Sequence, residues 1–177
     1  GNSYFRIGLK NITEVDTVPF GCYKRDVFDK IGLYDEELTR NQDDELNARL
    51  TRKGGKIILL PFLVIKYFSR NRLDKLFKMF FQYGLFKPLV NKKIGKPSSI
   101  RQFIPFLLVI ANIFCLFLIV LNLKLVYFFL ILNFVYFSAL VIISLIESIS
   151  KKNLKLIKFL PISFAVIHFS YGIGYLI

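Results

Sequence analysis

Two stretches without a charged side chain constrain this chain more than anything else in it: residues 103–121 run for 19 positions and residues 125–146 for 22. Each is long enough to cross roughly 30 Å of hydrocarbon as a helix. A third run, 159–177, adds 19 residues whose only basic group is His168, with Gly172 and Gly174 near its end. Buried core helices would be the alternative. Three such runs within the last 75 residues, however, leave no polar face to cover a soluble core. The sequence therefore predicts three transmembrane helices, at about 103–121, 125–146 and 159–177.

The rest of the chain lives in a different solvent. Residues 1–101 hold 20 Lys or Arg and 11 Asp or Glu, whereas residues 102–177 hold 5 and 1. The placement of the lysines and arginines predicts an orientation. Lys87, Lys92, Lys93, Lys96 and Arg101 precede the first run, only Lys124 lies between the first two, and Lys151, Lys152, Lys155 and Lys158 precede the third. The polar part and the 151–158 loop are thus expected on the cytoplasmic side, with the 122–124 turn and the last residues on the far side. This topology accounts for most of the net charge of +13. The basic residues are not interleaved with aromatics as in a nucleic-acid groove, so no nucleic-acid partner is expected, while anionic lipid headgroups are. With 54% hydrophobic residues and 20 Phe the chain is too apolar for disorder, and two cysteines, Cys22 and Cys115, make no disulfide scaffold. A reducing environment follows for the polar part. No secretory signal pattern precedes that part, and a chain that opens on Gly1 is expected to be a piece of a longer one.

Within residues 1–101 the pattern is mixed α and β. An extended run is predicted at 14–20, a turn at Gly21, and a short helix over 25–30 stopping at Gly32. Asn41 is predicted to cap a helix over 42–53, because acidic residues crowd its first turn and Gly54-Gly55 follow. Glu45 and Arg49 can pair along it. Residues 56–60 and 62–68, separated by Pro61, read as strand segments. The next helix is predicted from about residue 71 or 74 to 87, ended by Pro88, with 92–99 as a linker. Its apolar Leu73, Leu76, Phe77, Phe80, Phe81 and Leu85 have a basic margin. That suits either the membrane interface or packing on its own domain.

The densest polar constellation is Asp35, Glu36 and Glu37 followed by Asp43, Asp44 and Glu45, six carboxylates within eleven residues. Acidic residues in a first helical turn are favoured as caps alone. There is no Asp-x-Asp and His168 is the only histidine, so a zinc site is not expected and a magnesium site would be incomplete. What remains is a carboxylate acting as a general base on a hydroxyl. Cys22 has no histidine partner in the polar part, and no phosphate-binding loop or nucleophile elbow occurs. Cys22 reads as a small core residue. Inside the apolar runs His168, Asn112 and Asn133 are too few for a transport path, and His168 reads as an interhelical or interfacial hydrogen-bonder.

The stretch from Val15 to Leu50 resembles the acceptor-side half of family 2 glycosyltransferases. It runs through Pro19-Phe20-Gly21-Cys22, Gly32-Leu33-Tyr34-Asp35-Glu36 and Gln42-Asp43-Asp44-Glu45-Leu46-Asn47-Ala48-Arg49-Leu50. It is similar to membrane-anchored bacterial enzymes of succinoglycan-biosynthesis type. The likeness covers about residues 1–90, and the closing His168-Phe169-Ser170-Tyr171-Gly172-Ile173-Gly174 is similar too. It implies an α/β fold: a partial GT-A-like domain over 1–70, an amphipathic interfacial helix and linker over 71–101, and a transmembrane region over 102–177. It also implies transfer of a sugar, with inversion, from a nucleotide-sugar to a lipid-linked or polysaccharide acceptor at the inner (cytoplasmic) membrane.

With Arg49-Leu50 as anchor, the family's catalytic pair falls on Gln42-Asp43, with Gln42 in place of the usual Glu. Asp43 is then the general base, and Asp44 and Glu45 are the alternatives. Gly21, Cys22 and Gln42 fall on the substrate side, with Asp35 and Arg49 as structural support. Phe80 to Gly84 resembles the family's interfacial helix, and before its Tyr83-Gly84 the residues Met79 and Gln82 stand where the family often has Gln and Arg. The nucleotide-binding half, with the Mg2+ or Mn2+ that the resemblance implies, is expected to precede Gly1. No metal ligand is expected in this chain, and the chain alone is expected to be inactive. The alternative from another class is a non-catalytic membrane protein whose basic domain binds lipid or a partner.

Overall fold

The computed structural model describes residues 10–18, 20–66, 68–97 and 99–177. Pro19, Tyr67 and Ser98, which fall within the expected 14–20, 62–68 and 92–99 segments, lie outside the described residues, as do residues 1–9. The chain divides into two units: the first comprises Gly1–Ser69 with Phe86–Ser98, the second Arg70–Leu85 with Ser99–Ile177. The fold is mostly helical, and β-structure among the described residues is confined to two short strands.

In the first unit β1 (Thr13–Val15) pairs antiparallel with β2 (Ile57–Leu59) in the register Thr13↔Leu59, Glu14↔Ile58, Val15↔Ile57. Both strands are shorter than expected. Asp16 bends the chain out of β1, and Pro61-Phe62 turn it out of β2. Residues 63–66 follow without regular structure and largely exposed. A strand persists only where a neighbour takes its ladder bonds, and β1 offers three residues of pairing. Helix α1 (Arg25–Ile31) stops where Gly32 takes φ 82° and donates its N–H to Phe28 O at 2.8 Å.

Helix α2 (Gln42–Arg52) is closed by Lys53, whose N–H reaches the carbonyls of Arg49 and Leu50, and by Gly54 at φ 79°. Asn41 occupies its N-cap position but in the left-handed region, φ 60°, where its side chain makes no capping bond. Glu45 N–H bonds the Asn41 carbonyl instead.

Helix α3 (Leu73–Ile94) contradicts the expected stop at Pro88 and the expected linker from residue 92. A proline inside a helix removes one backbone donor and costs about 3 kcal/mol. Burial offsets that cost here. Val90 and Ile94, beyond the proline, are buried with Leu38, and Ala48, Phe86 and Leu89 pack around them as the core of the first unit. The helix ends at Ile94, the last residue of that apolar face, where Gly95 takes φ 75°.

The second unit holds the first half of α3 with α4 (Phe103–Leu121), α5 (Val126–Ser150) and α6 (Lys155–Leu176). All three of the latter are long and apolar enough to cross a membrane. Side-chain oxygens of Ser99, Asn122 and Asn153 accept the N–H two residues on at the turns that precede each of them. The helices overrun the charge-free windows: α5 continues through Glu147 to Ser150, and α6 already begins at Lys155.

Glycines set the closest approaches. A side chain at Gly172 would meet the Pro105 carbonyl on α4, one at Gly84 the Tyr171 carbonyl, and one at Gly174 the Phe81 carbonyl. The first half of α3 therefore packs on α6. Tyr175 packs its ring on Phe103 and Phe106, at 5.8 and 5.2 Å between centroids. The end of α6 thus lies beside the first turns of α4, not level with the 122–124 turn as the charge pattern implied. Asn133 Nδ2 donates to Asn112 Oδ1 at 2.9 Å between α5 and α4. His168 Nδ1 lies 3.0 Å from the Tyr136 hydroxyl between α6 and α5, an interhelical bond as the sequence suggested.

Candidate functional site

Five of the six clustered carboxylates are accounted for without any chemistry. Asp35 accepts the Glu37 N–H at 3.0 Å and pairs through Oδ2 with Lys93 at 2.5 Å, and Glu37 meets the same ammonium at 2.6 Å. The hydrogen bond from Lys93 holds the Asp35 carboxyl below its ordinary value. Asp44 pairs with Lys87 at 2.8 Å. Glu45, only 4% exposed, pairs with Arg49 Nε at 2.7 Å. The other two nitrogens of that guanidinium donate to the carbonyls of Ile31 and Leu33, at 2.5 and 2.7 Å, and so tie α2 to the end of α1. Glu36 is exposed to solvent.

Asp43 is the exception. It is half-buried in the first turn of α2, its Oδ1 accepts the Asp44 N–H at 3.0 Å, and no lysine or arginine among the described residues forms an ion pair with it. Burial, and then the neighbouring Asp44 charge, push its carboxyl above the ordinary carboxylate value, against the pull of two backbone N–H groups and of Lys87. A carboxylate with a raised affinity for protons and no cation on it has the properties a general base needs.

Behind Asp43 runs a polar chain. The Tyr23 hydroxyl donates to Asn47 Oδ1 at 2.7 Å, and Asn47 Nδ2 donates to Thr17 Oγ1 at 2.8 Å. Asn47 is 1% exposed and stands four residues after Asp43, on the same face of α2. Burial, Tyr34 and Asp43 push the Tyr23 hydroxyl up to about 12, so it stays a neutral donor. Tyr23 also explains Gly21: a β-carbon there would sit 2.8–3.0 Å from the Tyr23 hydroxyl and ring. Gln42 is half-buried at the head of α2. Cys22 is exposed rather than buried, because the Tyr23 ring on one side of it turns inward to Phe28 and Asn47.

The structure thus gathers Asp43, Tyr23, Asn47 and Thr17, and it ties Asp44, Glu45, Asp35 and Glu37 to cations. Tyr23, Thr17, Lys87 and Lys93 were not expected here from the sequence. Asn47, four residues from Asp43, carried the one local signal. These carboxylates do not fit a divalent cation: four of them are held by Lys87, Lys93 and Arg49, and among the described residues no group of three metal-ligating side chains exists.

Over 80 residues the chain is 31% identical to the succinoglycan biosynthesis protein ExoA of Rhizobium meliloti (strain 1021), covering 45% of this chain and 24% of that protein. Over 79 residues it is 30% identical to a Methanococcus voltae dolichyl N-acetyl-alpha-D-glucosaminyl phosphate 3-beta-D-2,3-diacetamido-2,3-dideoxy-beta-D-glucuronosyltransferase, covering 44% of this chain and 25% of that one. The chain spans about a quarter of the length of these curated relatives. No family model matches it, and no solved structure does. The likenesses relate this chain to a succinoglycan-biosynthesis protein and to a glycosyltransferase.

Proposed function

We propose that the chain is the acceptor-side part of a membrane-anchored, inverting glycosyltransferase of family 2, and that Asp43 is its general base. The carrying observation is that Asp43 alone in the cluster combines partial burial, a raised proton affinity and freedom from a cation. The likeness to a glycosyltransferase supports the reaction class. Asp43 takes the proton from the acceptor hydroxyl as that oxygen attacks the anomeric carbon from the face opposite the leaving nucleotide. The bond from sugar to diphosphate breaks as the new glycosidic bond forms. The Tyr23-Asn47-Thr17 chain holds the face of α2 on which Asp43 stands.

In this reading the polar part is a portion of a GT-A domain at the cytoplasmic face, and Gly21, Cys22 and Gln42 lie toward the substrates. The donor is a nucleotide-sugar carrying a hexose-type group, and the acceptor is a lipid-linked or polysaccharide hydroxyl. We assign any Mg2+ or Mn2+ to the nucleotide-binding half of such a domain, not to the carboxylates described above. Its chemistry when bound is to stabilise the departing diphosphate. The test is Asp43→Asn in the full-length protein, which is expected to cut turnover about a hundredfold or more with donor binding little changed. Turnover that survives would move the base to Asp44 or Glu45. A full-length wild type that transfers no sugar would favour a non-catalytic, lipid-binding role.

A further inference from the structure

Lys87 lies on α3 one residue before Pro88, and its ammonium is 2.8 Å from Asp44 Oδ2 with only 11% of its side chain exposed. A lysine usually keeps its head in water and its stem free. Here the helix denies it that freedom. Lys87, Val90 and Ile94 follow at i, i+3 and i+7 and share one face of α3, and the last two are buried with Leu38. The same packing that carries α3 past its proline therefore delivers a cation to the start of α2.

Asp44 is bound in turn to Asp43, since its N–H donates to Asp43 Oδ1 at 3.0 Å. The groups that bear on Asp43 are Asp44 on its own helix, Lys87 on α3 and the neutral Tyr23 hydroxyl, which has Tyr34 beside it. Two adjacent carboxylates at the head of a helix compete for any proton brought to them. One of the two carries a lysine.

We infer that Lys87 is the positioning residue of this site: its ion pair covers the Asp44 charge beside Asp43, and so lets Asp43 stand ionised and ready to accept the proton. The kinetic half of this inference rests on the transferase reading; the electrostatic half does not. Lys87 forms its ion pair with Asp44, not with Asp43, and bears on Asp43 both by covering the Asp44 charge and by its own. Its loss leaves a naked Asp44 charge beside Asp43, which holds a proton on Asp43 at a pH where the site needs it ionised.

The experiment compares Lys87→Met, Lys87→Arg and Lys93→Met in the full-length protein. The midpoint of Asp43 is followed by carboxyl 13C NMR, with Asp43→Asn for assignment, alongside turnover as a function of pH. Lys87→Met is expected to raise the Asp43 midpoint by about one pH unit and to move the acid limb of turnover equally, so that lost rate returns at high pH. Lys87→Arg restores both. Lys93→Met, which frees Asp35 and Glu37 instead, moves neither.

An Asp43 midpoint that stays put in Lys87→Met overturns the inference, whether turnover holds or falls. If Lys87→Met does not fold, Lys87→Gln decides: it must raise the Asp43 midpoint, and an unchanged value overturns the inference. A shifted midpoint in a protein that transfers no sugar would refute the transferase reading and leave the coupling standing.

Discussion

Helices α2 and α6 both bury polar groups along their length, and they are held in place by different forces. Around α2 the contacts are charged and directional: Arg49 binds Glu45 and two carbonyls of the α1 end, and Lys87 binds Asp44. After Lys158, α6 itself carries no Asp, Glu, Lys or Arg. Its contacts are bare backbone at Gly172 and Gly174 against the Pro105 and Phe81 carbonyls, aromatic edges on Tyr175, and one hydrogen bond between His168 and Tyr136. In water, apolar burial drives association and polar groups supply direction. Between hydrocarbon tails, apolar surface gains nothing by leaving lipid, so close approach through small residues is what remains. The change in packing style along the chain is thus a record of the change of solvent.

The sharpest break of this contrast is in the charged unit. Arg49→Leu strands Glu45, 4% exposed, without its cation and frees two carbonyls at the end of α1. A loss of about 3 kcal/mol or more is expected, read as a lowered midpoint in urea unfolding. Next comes the glycine seam. Gly174→Val drives a side chain into the Phe81 backbone and is expected to cost about 2–3 kcal/mol in detergent unfolding, whereas the same change at the exposed, open Gly54 meets no neighbour and costs only its left-handed strain.

A third change runs in the opposite direction. The Asp43 carboxyl is raised above its ordinary value in the folded chain, so the folded state binds that proton more tightly than the unfolded state. The stability this contributes is present at low pH and is lost as pH rises through the folded value. Above it, ionised Asp43 weakens the fold, and Asp43→Asn is expected to stabilise by less than about 2 kcal/mol near pH 8 while lowering activity. The smallest effect is expected of Asn133→Leu. Its bond to Asn112 is one polar contact inside the apolar unit, and about 0.6 kcal/mol is typical of such a bond.

What could be read from the residues alone was what depends on one segment at a time. Absence of charge over 19 and 22 positions is such a property, and α4 and α5 cover those runs. Helix α2 could be read from its acidic first turn and Gly54-Gly55, and the pairing of Glu45 with Arg49 from a spacing of four. What failed depended on distant partners. Pro88 is tolerated because Leu38, fifty residues earlier, buries Val90 and Ile94. Lys93 reaches Asp35 across 58 residues and Lys87 reaches Asp44 across 43, so nothing local to the acidic cluster showed which carboxylate would be left unpaired. Residues 62–66 have the composition of a strand and no pairing partner among the described residues, and composition cannot report pairing.

The central claim is that one carboxylate, Asp43, takes the proton, and the pH dependence of turnover in the full-length protein tests it most directly. Wild type is expected to show an acid limb above the ordinary carboxylate range, with activity present above the limb and lost below it. Asp43→Asn is expected to retain about one percent of the rate or less and to show no such limb. An acid limb that persists unchanged in Asp43→Asn, at a comparable rate, would contradict the claim.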